Sequence, residues 1–171
     1  MKYLFLYLAL STFLFASLEN INSFQADFTQ TVIDDKGKVL TYNGRVVASK
    51  PQNALWNYLK PVTKDIYINA DSITVIEPEI EQVIIRKIES NFDFFNMIRK
   101  AKKTDENSYL AMFKNSKFII KTENSLIKSI SYSDEFENSV QILFENQKQN
   151  EEINEDIYTP NIPLEFDIIR D

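Results

Sequence analysis

The 171-residue chain contains no cysteine, no histidine, two glycines and one tryptophan. Without a thiol or an imidazole there is no Ser-His-Asp or Cys-His nucleophilic site, no zinc finger and no ordinary zinc hydrolase. Two glycines, Gly37 and Gly44, cannot build a phosphate-cradling glycine-rich loop or a dinucleotide fingerprint. Positive charge is also short, at 19 Lys and Arg against 25 Asp and Glu. A net charge of −6 argues against a nucleic-acid partner, which would require a basic stripe. Long hydrophobic runs are absent after the first sixteen residues, so nothing downstream approaches a membrane-spanning length.

Those first residues have their own logic. Met1-Lys2 is a short positive start, Tyr3 to Phe15 carries no charge, and Ala16-Ser17 supplies small residues at a cleavage point. This layout predicts a secretory signal peptide over 1–16, with a single domain over 17–171. The alternative, an uncleaved anchor, meets an apolar run shorter than the ~20 residues a membrane helix needs. A bacterial lipoprotein carries its lipid on a cysteine directly after the leader, and none is present. The expectation is a soluble, exported protein that uses no disulfide even where the compartment permits one.

Downstream, strand follows strand. Phe24, Ala26, Phe28 and Val32 alternate at period two along Ser23 to Ile33, the signature of a half-buried strand. Asp34-Asp35-Lys36-Gly37-Lys38 is turn chemistry, with Gly37 free to adopt positive φ, and Val39 to Ala48 supplies the partner. Short runs rich in Ile, Val, Thr and Tyr continue at 54–59, 65–69, 72–76 and 82–88, separated by Pro51, Pro61 and the Ala70-Asp71 turn. Over Asn91 to Lys103 the apolar spacing becomes helical, with lysines crowding the C-terminal end. Strands return at 109–113, 118–121, 126–132 and 140–144, and 166–169 completes the series as an edge. The predicted class is mainly β: an unclosed, strongly curved antiparallel barrel of about ten to eleven strands, with a helix across its mouth. A sheet that long must curl or close.

An ordered series of motifs runs along the chain: Phe24-Gln25-Ala26-Asp27-Phe28-Thr29-Gln30 with its Asp-x-x-Gly turn, Tyr42-x-Gly44, Lys50-Pro51 before Trp56, Pro61 after it, and Glu77-Pro78-Glu79-Ile80-Glu81-Gln82-Val83. In that order they resemble the LolA family of periplasmic lipoprotein carriers. The resemblance covers essentially the whole chain after the leader. It implies a helical lid over an apolar cavity and cargo of triacylated lipoproteins. The partners implied are an inner-membrane ABC transporter of the lipoprotein-release type and, where present, an outer-membrane acceptor. It implies a monomer with no catalytic residues, no metal and no cofactor. In some members an arginine before the proline of the third strand contacts the lid. Here that position is Lys50, a point charge in place of a planar fork, and it becomes the candidate latch.

On that reading the cavity wall comprises Phe24 and Phe28 of the first strand, Val46 of the second, Trp56 and Tyr58 of the third, Ile66 and Ile68 of the fourth, and Phe92, Phe95 and Ile98 of the lid. Each has a plainer reading as ordinary core, and Lys50 as a solvated loop lysine. Glu77, Glu79 and Glu81 form a carboxylate cluster at period two. A glycosidase needs two carboxylates about 5 to 10 Å apart and a calcium site needs more oxygen ligands, so a charged turn anchoring backbone fits better. Arg99, Lys100, Lys102 and Lys103 read as a solvated helix end or as a contact for anionic headgroups. The competing functional class is a non-catalytic envelope module that binds another lipid, or a protein partner, through its sheet face. That class predicts a filled barrel interior.

Overall fold

A computed structural model describes residues 18–87 and 94–170. The expected signal peptide and Phe92 lie outside the described residues. Twelve strands form one sheet: β1 (Ser23–Ile33), β2 (Val39–Ser49), β3 (Asn53–Lys60), β4 (Lys64–Asn69), β5 (Ser72–Glu77), β6 (Gln82–Lys87), β7 (Lys102–Asp105), β8 (Ser108–Phe113), β9 (Ser116–Glu123), β10 (Leu126–Ser133), β11 (Ser139–Gln149) and β12 (Asp167–Arg170). The spatial order is β12-β6-β5-β4-β3-β2-β1-β11-β10-β9-β8-β7, an unclosed curled sheet. Its edges are β7 and β12. The single α-helix among the described residues, α1 (Phe94–Arg99), interrupts the meander between β6 and β7.

Two expectations need correction. The helix does not run to Lys103: it stops at Arg99, and Lys102 and Lys103 enter β7. All four residues of β7, Lys-Lys-Thr-Asp, are exposed, so it carries no apolar alternation and raises the strand count beyond ten to eleven. The final strand, β12, pairs with β6 in parallel rather than extending an antiparallel meander.

Local chemistry accounts for the hairpins. In the β1–β2 turn Gly37 sits at φ 79°, and the Asp34 carboxylate accepts hydrogen bonds from the Lys36 and Lys38 amides at 2.9 and 2.8 Å. The β10–β11 turn repeats this device, with Asp134 accepting from the Phe136 and Asn138 amides, both at 2.9 Å. The two turns lie side by side, because Ile33 pairs with both Val39 and Ser139. Gly44 answers a different demand. A Cβ there would lie 2.1 Å from the Asn57 carbonyl oxygen and 2.7 Å from Phe28 Cζ, so only glycine lets the Phe28 ring lie across β2.

Because side chains alternate across a strand, the sheet separates two apolar clusters. The larger fills the concave face, with Phe24, Phe28, Val46, Ile120, Ile127, Ile130 and Phe144 among its members and Phe95, Met97 and Ile98 of α1 packed onto it. The smaller, Tyr67, Ile76 and Val83, lies on the opposite face and is covered by Ile162 and Phe166. The chain between β11 and β12 reaches it through a 3-10 turn, Glu155–Tyr158, whose N-cap Asn154 accepts from the Asp156 amide at 3.1 Å. Tyr158 is buried in that turn, which packs on β3 and β4. The polar stretch after β11 is therefore a strap over the convex face.

Candidate functional site

A cavity of about 200 Å³ lies between the concave face and α1. Its near wall is Phe24, Val46, Ala48, Ala54, Trp56 and Ile68. The far wall comes from β9, β10 and β11 through Phe118, Ile130, Tyr132, Ile142 and Phe144. The roof is Phe94, Phe95 and Met97 of α1, and Gln52 of the β2–β3 turn with Asn53 at the start of β3 adds polar groups. Among the described residues no charged side chain lines it.

Aromatic contacts stiffen this wall. Phe24 meets Phe144 edge-on at 5.0 Å between centroids, Phe118 meets Tyr132 at 4.9 Å, and Phe94 meets Phe95 at 5.6 Å. Edge-on geometry sets the positive rim of one ring against the negative face of the other. Low polarity also registers on the phenols. Burial, reinforced by Tyr132 and Tyr42, pushes Tyr58 up to about 12, and burial with the nearby Asp134 charge pushes Tyr132 up.

Of the residues singled out by sequence, Phe24, Val46, Trp56, Ile68 and Phe95 face this cavity. Phe28, Tyr58, Ile66 and Ile98 do not. Phe28 lies behind the wall, edge-on to Trp56 at 5.1 Å and to Tyr58 at 5.0 Å. The Tyr58 hydroxyl donates to Gln30 Oε1 at 2.7 Å, which turns its polar end away from the void. Ile66 stands one pleat beyond Ile68 on the same face, opposite Trp56. Ile98 is 1% exposed and belongs to the packed core under the helix. Ala48, Ala54 and the entire far wall were not singled out. Their period-two spacing in β10 and β11 was visible, but only the curl of the sheet brings that half opposite Trp56.

Lys50 sits at the mouth. Its ammonium donates to Asn22 Oδ1 and its amide to the Asn22 carbonyl, both at 2.9 Å, and neither of these bonds reaches α1. It does share an open hollow with Pro51 and with Phe95, Asn96 and Arg99 of the helix. Glu77, Glu79 and Glu81 are not three residues of one strand face. Glu77 ends β5, Pro78–Ile80 is a 3-10 turn, and Glu81 takes a left-handed conformation at φ 50°. Glu81 anchors backbone through its main chain, its carbonyl accepting from the Asp167 amide at 2.9 Å where β12 begins. No group of three metal-ligating side chains occurs among the described residues, and no described helix is long and apolar enough to cross a membrane.

A half-barrel with an uncharged, aromatic-lined hollow under a short helix defines a class: a binding protein for apolar chains. Comparison with known proteins narrows it. Residues 19–114 match the family described as outer membrane lipoprotein carrier protein LolA. The outer-membrane lipoprotein carrier protein of Campylobacter jejuni is 39% identical over 92% of this chain and 92% of its own length. That of Wolinella succinogenes is 32% identical over 99% of both. A crystal structure of an uncharacterized conserved protein from Thermus thermophilus shares the fold at a TM-score of 0.56 and 12% identity, covering 90% of this chain and 93% of that one. The chain belongs to the LolA family.

Proposed function

We propose that this protein carries lipoproteins between membranes by enclosing their acyl chains, without performing any reaction on them. The observation that supports this reading most directly is the cavity: apolar, uncharged and capped by α1, where a purely structural barrel would be filled. Burial of each CH₂ is worth about 0.8 kcal/mol, so a hollow of this composition suffices to hold acyl chains in water. Residues 1–16 direct export to the periplasm, and the cargo is taken from an inner-membrane transporter of the ABC type and passed to an outer-membrane acceptor.

Size defines the mechanism. An apolar cavity of roughly 150 Å³ admits a benzene-sized molecule, and about 200 Å³ cannot take three long chains. Loading therefore requires α1 to lift from the concave face. Its roof residues Phe95 and Met97 are buried in the closed form, so lifting exposes them and offsets part of the gain from cargo burial, which keeps binding reversible. Lys50 acts on the lid at one remove. Through Asn22 it ties the β2–β3 turn to the segment after the Leu18–Asn20 turn, and that turn packs on α1.

The test is titration of purified mature protein with a triacyl-lipopeptide, followed by the fluorescence of Trp56, the one tryptophan in the chain, alongside mass spectrometry of what co-purifies. Saturable binding and co-purified lipoproteins are expected, and Phe95→Glu should abolish both. A protein that takes up neither the lipopeptide nor an apolar dye is not a carrier. Lys50→Leu should retain cargo while failing to deliver it.

A further inference from the structure

The hollow beside the lid has chemistry of its own. It is lined by Lys50, Pro51, Phe95, Asn96 and Arg99, and Phe95 also roofs the apolar cavity, so the two spaces share a wall. Both cations are exposed, and among the described residues each is held by a neutral amide: Lys50 by Asn22 at 2.9 Å and Arg99 by Asn96 at 2.7 Å. No carboxylate among the described residues pairs with either. Lys100, Lys102 and Lys103 follow directly and are exposed. A protein of net charge −6 thus presents a local positive field beside the Phe95 wall of the cavity.

We propose that this hollow is a binding site for an anionic head group, and that the protein accepts amphiphiles that carry a carboxylate or phosphate at the water end of an acyl chain. The inference rests on the carrier reading of the cavity and adds a charge preference to it. The chain of such a ligand lies beneath Phe95, and its anion reaches the Lys50 ammonium and the Arg99 guanidinium. Arginine offers a two-pronged donor set that matches carboxylate and phosphate geometry. The amide partners Asn22 and Asn96 hold the two side chains in place without neutralising them. Their exposure keeps the interaction modest and sensitive to salt.

The experiment compares ligands with one tail and different heads, using the full mature chain and Trp56 fluorescence: dodecanoate, dodecyl phosphate, dodecanol and dodecylamine, each below its aggregation threshold. Two exposed charge pairs are together worth on the order of tenfold in affinity. Dodecanoate or dodecyl phosphate should therefore bind about tenfold tighter than dodecanol, with dodecylamine the weakest. The preference should shrink at high salt. The stronger of the two anions identifies a carboxylate-bearing or a phosphate-bearing lipid as the source. In the double variant Lys50→Gln, Arg99→Gln the ratio of anion to dodecanol affinity, read within the same protein, should fall to about one. Equal binding of dodecanoate, dodecyl phosphate and dodecanol by the native protein overturns the proposal, as does a preference that survives in the double variant. If no ligand, dodecanol included, perturbs Trp56, the carrier reading fails first.

Discussion

Ala54 makes the cavity testable as a void. It faces the hollow from β3, opposite Ala48 on β2 and beside Ile68 on β4. Unfilled apolar space weakens a fold by about 24 cal/mol per Å³; about 200 Å³ then corresponds to stability of about 5 kcal/mol forgone. Ala54→Leu inserts three carbons into that space. At about 0.8 kcal/mol each the ceiling is about 2.4 kcal/mol, and imperfect fit and lost rotamer freedom reduce it to about 1–2 kcal/mol. For a domain of this size that gain raises the melting temperature by about 3–6 °C. The same side chain occupies the ligand's place, so acyl binding should fall while the protein becomes more stable. Thermal unfolding followed by circular dichroism, with lipopeptide titration in parallel, reads both effects. A destabilised variant would mean that the space is already filled in solution, and a stabilised variant that still binds would mean that cargo lodges elsewhere. Either result refutes the reasoning.

Gly44→Ala should cost about 3 kcal/mol or more in urea denaturation, because the new methyl group meets the Asn57 carbonyl of an adjacent strand as well as the Phe28 ring; a loss under about 1 kcal/mol would show that β2 and β3 can part freely. Tyr58 has a folded pKa raised above the ordinary 10.0 to about 12, so the folded state holds its proton longer than the unfolded chain. The stability this confers is intact below pH 10 and lost as pH rises toward 12. Tyr58→Phe should weaken the protein at neutral pH by about 1 kcal/mol through the lost bond to Gln30 and remove this part of the alkaline decline. Asp134 shows the opposite sign. Burial pushes its carboxyl up, but the hydrogen bonds from Asn138 and Phe136 outweigh that and hold it below 3.8. Its contribution is present above 3.8 and fades as pH falls through the lower folded value, so the gap between native protein and Asp134→Ala, about 1 kcal/mol at neutral pH, should close in acid.

Much of the sheet was legible because its signals are local. Period-two apolar residues, the Asp34 to Lys38 turn and the breaks at Pro51 and Pro61 mark β1 to β4 without any knowledge of neighbours. β7 left no such mark, since Lys102 to Asp105 is an edge strand exposed along its length. β12 was visible as a short apolar run, yet its parallel pairing depends on Glu81, far away in sequence. The strap leaves no periodic signal, because Tyr158, Ile162 and Phe166 are spaced irregularly within a polar stretch; Ile162 and Phe166 pack on Tyr67, Ile76 and Val83 of the convex face, and the turn holding Tyr158 packs on β3 and β4. The site divides the same way. The near wall follows from strand alternation, whereas the separation of Ile68, which faces the void, from Ile66, which does not, follows from curvature that no local pattern encodes.

The strand order bears on how the molecule comes into being. β1 stands at the centre of the sheet, joined on one flank to β2, its neighbour in sequence, and on the other to β11, with Phe24 opposite Gln149 and Val32 opposite Val140. One half of the sheet can zip from its N-terminal hairpins as the chain lengthens, but the other half has nothing to dock on until β11 arrives. Closing so long a loop makes this pairing the slow step of folding. Phe24 and Phe144, whose rings meet edge-on in the cavity wall, come from these two strands. A chain still short of β11 therefore has strands but no pocket, and an apolar ligand finds nothing to occupy until the β1–β11 pairing is made.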